Sequence, residues 1–173
     1  MDDLSISSLV WLFLVAFVIH DMEEMIWVGP WAKRNRQKAV AAVPARMRRS
    51  LAQMLTINSS QFAVAVLLEF IVFVPFTLMA AEQGRFFIFL SINSLFFLHV
   101  FTHVAQSLYL KMYTPGVVTA VLIVLPYSLV LFDRLLSDNL VTWGEILLSV
   151  PVGLLVVPLV MVGHELGKRW VKS

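Results

Sequence analysis

A cluster of ionisable residues, His20-Asp21-Met22-Glu23-Glu24, interrupts an apolar run that extends from Leu9 to Ile19 and resumes with Met25-Ile26-Trp27-Val28. No other feature restricts the fold as much. A run of this length and apolarity is long enough to cross a bilayer as a helix. In hydrocarbon every backbone polar group must be paired within the protein, which leaves helices or closed barrels. Ionisable side chains are costly there, rare, and usually turned into a bundle interior where they serve a function. The pattern recurs: His20, His99, His103 and His164, all four histidines of the chain, lie in or at the end of an apolar segment.

Composition agrees with an all-α, polytopic membrane bundle. The 173 residues are 60% hydrophobic and only 14% charged, with mean hydropathy +0.85, far from the profile of a soluble domain. There is no cysteine. Disulfides, thiolate catalysis and Cys-ligated zinc are excluded, so a metal would be held by imidazole nitrogen and carboxylate oxygen. The pI of about 9.2 does not point to nucleic acid, because the basic residues are gathered where membrane topology places them. The opening Met1-Asp2-Asp3 lacks the positive region of a signal peptide, so the first apolar run is read as a permanent span.

Five spans are predicted within one membrane domain covering 1–173, near 8–28, 55–80, 86–110, 116–136 and 144–166. Pro75, Pro126, Pro151 and Pro158 fall in or near them and are expected to kink them. A basic loop is expected over 30–54. It holds Lys33, Arg34, Arg36, Lys38, Arg46, Arg48 and Arg49; Lys111 and the tail Lys168, Arg169 and Lys172 fall on the same side. Only Arg85 and Arg134 of the thirteen basic residues fall on the other. The positive-inside rule then gives N-terminus outside, C-terminus inside, and a cytoplasmic basic loop. Lys38 to Gln53 mixes small apolar residues with arginines, as an interfacial helix does, although topogenic charge alone accounts for it.

Helical geometry sorts the polar residues onto faces. His20, Glu23 and Glu24 share an arc of ~100°. His99, His103 and Gln106 share ~60°, and Asn58, Gln61, Ala65 and Glu69 about 80°. Counting the helical rise from the inner ends places Glu23, Glu24, His20, His103 and Gln106 roughly 6–12 Å deep, with His99 at roughly 16 Å. His164 and Glu165 lie shallower, and Glu69 is an outlier at about 21 Å. The plainer readings are a protonated polar knot for His20/Glu23/Glu24 and interhelical hydrogen bonding for His99/His103. For His164-Glu165 the plainer reading pairs Glu165 with Lys168 and Arg169, and for Glu69 it is a protonated, hydrogen-bonded acid.

The His20-Asp21-Met22-Glu23-Glu24 run in a first membrane helix resembles the HXXEE family of small bacterial membrane proteins, named for this motif. The stretch Leu98-His99-Val100-Phe101-Thr102-His103-Val104-Ala105-Gln106-Ser107, followed by Tyr113-Thr114-Pro115-Gly116-Val117-Val118-Thr119-Ala120, is similar to the family's second polar block. The resemblance implies a fold and a bacterial membrane location, here the cytoplasmic (inner) membrane, and carries no established reaction.

From the residues, the leading expectation is a metal-dependent membrane enzyme, a hydrolase or oxidoreductase acting on a lipid or other amphiphile from the bilayer. His20, Glu24, His99 and His103 are the expected ligands of a zinc or iron ion, since helical i,i+4 pairs reach one ion together. Glu23 is the expected general base on a water held by that ion. Asn58 and Gln106 are expected to support the ligands, with Glu69, His164 and Glu165 as further or alternative ligands, the carboxylates allowing a two-metal centre. No organic cofactor and no nucleic-acid partner are expected. The alternatives are a metal-free His/Glu proton-transfer enzyme, like a sterol isomerase in kind, and a carrier or sensor of metal or protons. A homodimer would make the carrier easier to build.

Overall fold

The computed structural model describes residues 4–171. Met1-Asp2-Asp3, on which the expectation of a permanent first span rests, and Lys172 of the basic tail lie outside the described residues. Within them every regular element is helical: α1 (Ile6–Ala42), α2 (Ala45–Met54), α3 (Ser59–Gln83), α4 (Phe86–Leu110), α5 (Val117–Ser137), α6 (Trp143–Gly153) and α7 (Val156–Trp170). Five spans are long and apolar enough to cross a membrane: α1, α3, α4, α5, and the pair α6–α7, which is interrupted at Leu154-Leu155.

α1 is longer than a bilayer requires. Its 37 residues extend about 55 Å at 1.5 Å per residue, against a hydrocarbon core of ~30 Å. It starts on Ser5, whose side chain accepts the Ser8 N–H, and continues through Gly29-Pro30, where the sequence reading begins a loop. Pro30 removes a backbone donor, but tertiary contacts carry the helix onward. Trp31, Ala32 and Ala39 are buried with Leu110 of α4, and the Trp31 indole donates to the Tyr113 carbonyl at 2.5 Å. Proline then ends it. Pro44 drives its predecessor into extended backbone, and Val43 has φ −86° and ψ 155°. The Lys38–Gln53 segment, whose pattern suits an interfacial helix though topogenic charge alone accounts for it, is divided between α1 and α2, its arginines falling on the short α2, no residue of which is buried.

α1 and α4 form the centre, with half of each apolar window buried. Phe13 of α1 is fully buried, edge-on to Phe89 and Phe96 of α4 at 5.6 and 5.7 Å between ring centroids. Phe17 meets Phe73 of α3 edge-on at 5.1 Å. The outer spans attach through small residues, which let helices approach where lipid offers no hydrophobic drive. A Cβ on Gly163 or Gly167 of α7 would run into Ala65 or the Gln61 backbone of α3. Gly153 of α6 lies as closely on Ser91 of α4, and Ser94 and Ser149 share a buried hydrogen bond of 2.7 Å. α5 opens after Pro115-Gly116 with a short α-helical turn, Val117–Thr119, and widens into a π-helical turn, Ala120–Val124, just ahead of Pro126. Such widened turns recur at functional sites; this one follows Thr119 directly.

Candidate metal centre

His20 and Glu24 lie one turn apart on α1, and His99 and His103 one turn apart on α4. Their packing brings the four side chains together, so that one ligand atom from each lies within 4.8 Å of all the others. His103 Nε2 is 3.4 Å from Glu24 Oε1 and 2.7 Å from His99 Nε2. Ligands on a tetrahedral zinc ion are about 3.3 Å apart, from bond lengths of about 2.0–2.1 Å. The Glu24–His103 spacing already matches. The two ε-nitrogens, at hydrogen-bond distance, would have to separate slightly for both lone pairs to face an ion.

The third histidine is set by its neighbours. His20 Nδ1 lies 3.0 Å from Thr119 Oγ1, and the Thr119 hydroxyl donates to Glu23 Oε2 at 2.6 Å. A hydroxyl has one proton, so Thr119 accepts from His20 Nδ1–H. That leaves His20 Nε2 as the unprotonated nitrogen, buried and without a hydrogen-bond partner. A buried acceptor of this kind ordinarily costs 1–3 kcal/mol, roughly, and an ion would satisfy it. The relay Glu23–Thr119–His20 has the form of the outer hydrogen bonds that orient metal-binding histidines.

Glu23 is thus placed beside the group, with both oxygens engaged. Oε2 also accepts the Thr119 backbone N–H at 2.7 Å, and Oε1 accepts the Tyr113 hydroxyl at 2.7 Å. Tyr113 lies in the turn between α4 and α5. Burial pushes its phenol above the ordinary range, and the bond to Glu23 adds to this, so it stays a donor at neutral pH. The turn is shaped by Gly116, whose φ of +88° favours glycine. A Cβ there would fall 2.9 Å from both Glu24 Oε1 and His103 Nδ1. The Pro115-Gly116 backbone is therefore a wall of the centre.

The other residues singled out from the sequence separate. Glu69 of α3 is near enough to interact electrostatically with Glu24. Asn58 is the N-cap of α3: it accepts the Gln61 N–H at 2.8 Å while Gln61 accepts the Asn58 N–H at 3.3 Å. Gln106 is exposed and lines a separate cavity beneath α2. His164 packs edge-on against Phe62 at 5.2 Å, and Glu165 pairs with Arg169 at 3.1 Å. Three contributors escaped the sequence reading as site residues. Asp21 is buried near Glu24 and Glu69 with one oxygen unpartnered. Thr119 and Tyr113 lie in the second polar block, where the Tyr-Thr-Pro-Gly-Val-Val-Thr spacing was the available signal.

Two faces of the centre approach the surface. His99 has an exposed side chain on α4, while His20 and His103 are buried. On the side of the relay lies a cleft of about 650 Å³, lined by Glu23, Thr119 and Tyr113 together with Trp27, Trp31 and Arg34 among others.

Five helices long and apolar enough to cross a membrane, around a group of three histidines and a glutamate of which His20 and His103 are buried, define a polytopic membrane bundle with a site able to hold a metal ion. The chain belongs to the HXXEE family: the family described as "protein of unknown function with HXXEE motif" matches residues 11–131. It is also similar to the uncharacterized protein YrkK of Bacillus subtilis (strain 168), 25% identical over 163 residues, which covers 91% of this chain and 94% of that relative. No solved structure matches the chain. The residues that name the family divide the work: His20 and Glu24 join the four-ligand group, and Glu23 anchors the relay to His20.

Proposed function

We propose that this protein is a metal-dependent membrane enzyme acting on a lipid or other amphiphile, with a divalent ion held by His20, His99, His103 and Glu24. The observation that carries the reading is the convergence of four donors within 4.8 Å around a buried, unpartnered imidazole nitrogen. Nitrogen and carboxylate donors suit zinc or iron. The ion would supply a Lewis acid in a dry setting. Glu23 and Thr119 hold the His20 tautomer, and the buried Asp21 and half-buried Glu69 are acids close to Glu24 that could hold or pass a proton. The exposed His99 side and the cleft beside Glu23 and Thr119 both bring the centre to the molecular surface, where an amphiphile can approach it.

The test is metal analysis of detergent-purified protein joined to lipid turnover. Wild type should carry metal and change the composition of a lipid extract. His103→Ala should do neither. Metal in wild type with no lipid consumed would replace the enzyme with a carrier or sensor. A second reading, metal-free proton transfer, draws on the 2.7 Å His99–His103 contact, which is a good hydrogen bond as it stands. Lipid turnover by wild type unaffected by chelation would favour it.

A further inference from the structure

The cleft beside the relay is graded along its length. Glu23, Trp27, Pro30, Trp31 and Arg34 line it from α1, at spacings that keep them on one helical face. Glu23 and Thr119 form the inner end, where the carboxylate oxygens are already occupied by Tyr113 and Thr119. Trp27, Pro30 and Trp31 form an apolar middle, with Trp27 49% exposed. Arg34 stands at the far end, and among the described residues no carboxylate lies within ion-pair distance of it. Glu23 and Arg34 are about 16 Å apart along the helix axis, roughly the depth of one bilayer leaflet.

We propose that this cleft binds an anionic membrane lipid, its headgroup on Arg34 and one chain descending past Trp31 and Trp27 to the Glu23–Thr119 wall. The inference rests on the metal-enzyme reading insofar as it names that enzyme's substrate class. The geometry favours a lipid over a soluble anion because the charge lies at one end of an apolar channel. A guanidinium is the side chain best matched to phosphate, which it can grip through two parallel N–H donors. The neighbouring Lys33 and Arg36 would enrich anionic lipid at this surface, but only Arg34 among them lines the cleft. Interfacial tryptophans beside it are at home at headgroup level.

The test uses the full chain in phosphatidylcholine nanodiscs containing a few mole per cent of phosphatidate with brominated chains, which quench nearby indoles. The Trp27 signal is the difference between wild type and Trp27→Phe. Quenching at Trp27 should exceed that from brominated phosphatidylcholine at equal content by about tenfold in apparent affinity, the scale of one charge-assisted hydrogen bond. Arg34→Gln should abolish the preference, Arg34→Lys should keep part of it, and Lys33→Gln, which removes only general surface charge, should lower it far less than Arg34→Gln does. No anionic preference at Trp27, or one undiminished in Arg34→Gln, overturns the proposal. The same measurement in His103→Ala separates the two readings. Preference retained while metal is lost supports the cleft independently of the centre. Metal bound in wild type without anionic preference at Trp27 overturns the cleft and leaves the metal reading standing.

Discussion

Thr119 has a single hydroxyl proton and gives it to Glu23 at 2.6 Å, which obliges it to accept from His20. Thr119→Val removes both roles at nearly constant volume, whereas Thr119→Ser keeps them. Thr119→Val and Glu23→Gln should each weaken metal binding by about 10–100-fold, the usual cost of losing a partner that orients a ligand. Thr119→Ser should stay near wild type in a chelator competition, and Glu24→Gln should lose more than any of them. Equal losses in Glu23→Gln and Glu24→Gln would make Glu23 a direct ligand. Gly116 gives a second prediction at this scale. Its φ is +88°, and a Cβ there would fall 2.9 Å from Glu24 Oε1 and His103 Nδ1. Gly84 has φ +65° with nothing within 4 Å of its Cβ position. Gly84→Ala should therefore cost only the left-handed conformation, about 1–2 kcal/mol, with metal retained. Gly116→Ala should lose metal as well as thermal stability.

The helices carry different loads. α7 bears no residue of the four-ligand group, yet its Gly163 and Gly167 touch the backbone or Cβ of α3. Gly163→Val or Gly167→Val should separate α7 from α3 at about 1–3 kcal/mol, as overpacking does, lowering the melting temperature in detergent. Metal content should survive at temperatures where the protein stays folded. Loss of metal without loss of stability would mean that α7 positions the centre after all. The elements also show where sequence reading succeeds and stops. Pairs one turn apart, His20/Glu24 and His99/His103, were readable because helical geometry alone puts each pair on one face. Helical spacing alone puts Asn58 on a polar stripe, although Gln61 three residues later is the sequence pattern of the capping box the two form. The passage of α1 through Pro30 was not readable, because it depends on Trp31 packing against residues some eighty positions away.

For the whole molecule, apolar runs specified five spans, since their lengths match a bilayer and leave little choice of architecture. Shared depth and the need of polar stripes to avoid lipid favour the docking of α1 against α4. What depth could not reveal was the loop that closes the site. Tyr113 and Gly116 lie in a turn, and Thr119 at the start of α5, whose path is set by tertiary contacts, and Gln106, one turn past His103 on α4, is exposed at a separate cavity. Orientation belongs to this scale too, and rests on the eleven basic residues gathered on one side against two on the other, of the chain's thirteen. Reporter fusions at Arg46 and at the C-terminus should both read cytoplasmic. A periplasmic signal at either would reverse the leaflet from which the Arg34 cleft draws its lipid.

Whether the four converging side chains hold an ion decides the chemistry open to this site. The direct measurement is metal stoichiometry by elemental mass spectrometry on detergent-purified protein, for wild type and for His20→Ala, His99→Ala, His103→Ala and Glu24→Gln, each checked for folding by circular dichroism. Wild type should carry one divalent ion per chain, and each folded variant should lose most of it. Metal-free wild type after purification and reconstitution with zinc or iron(II), or folded variants that keep full occupancy, would contradict the account.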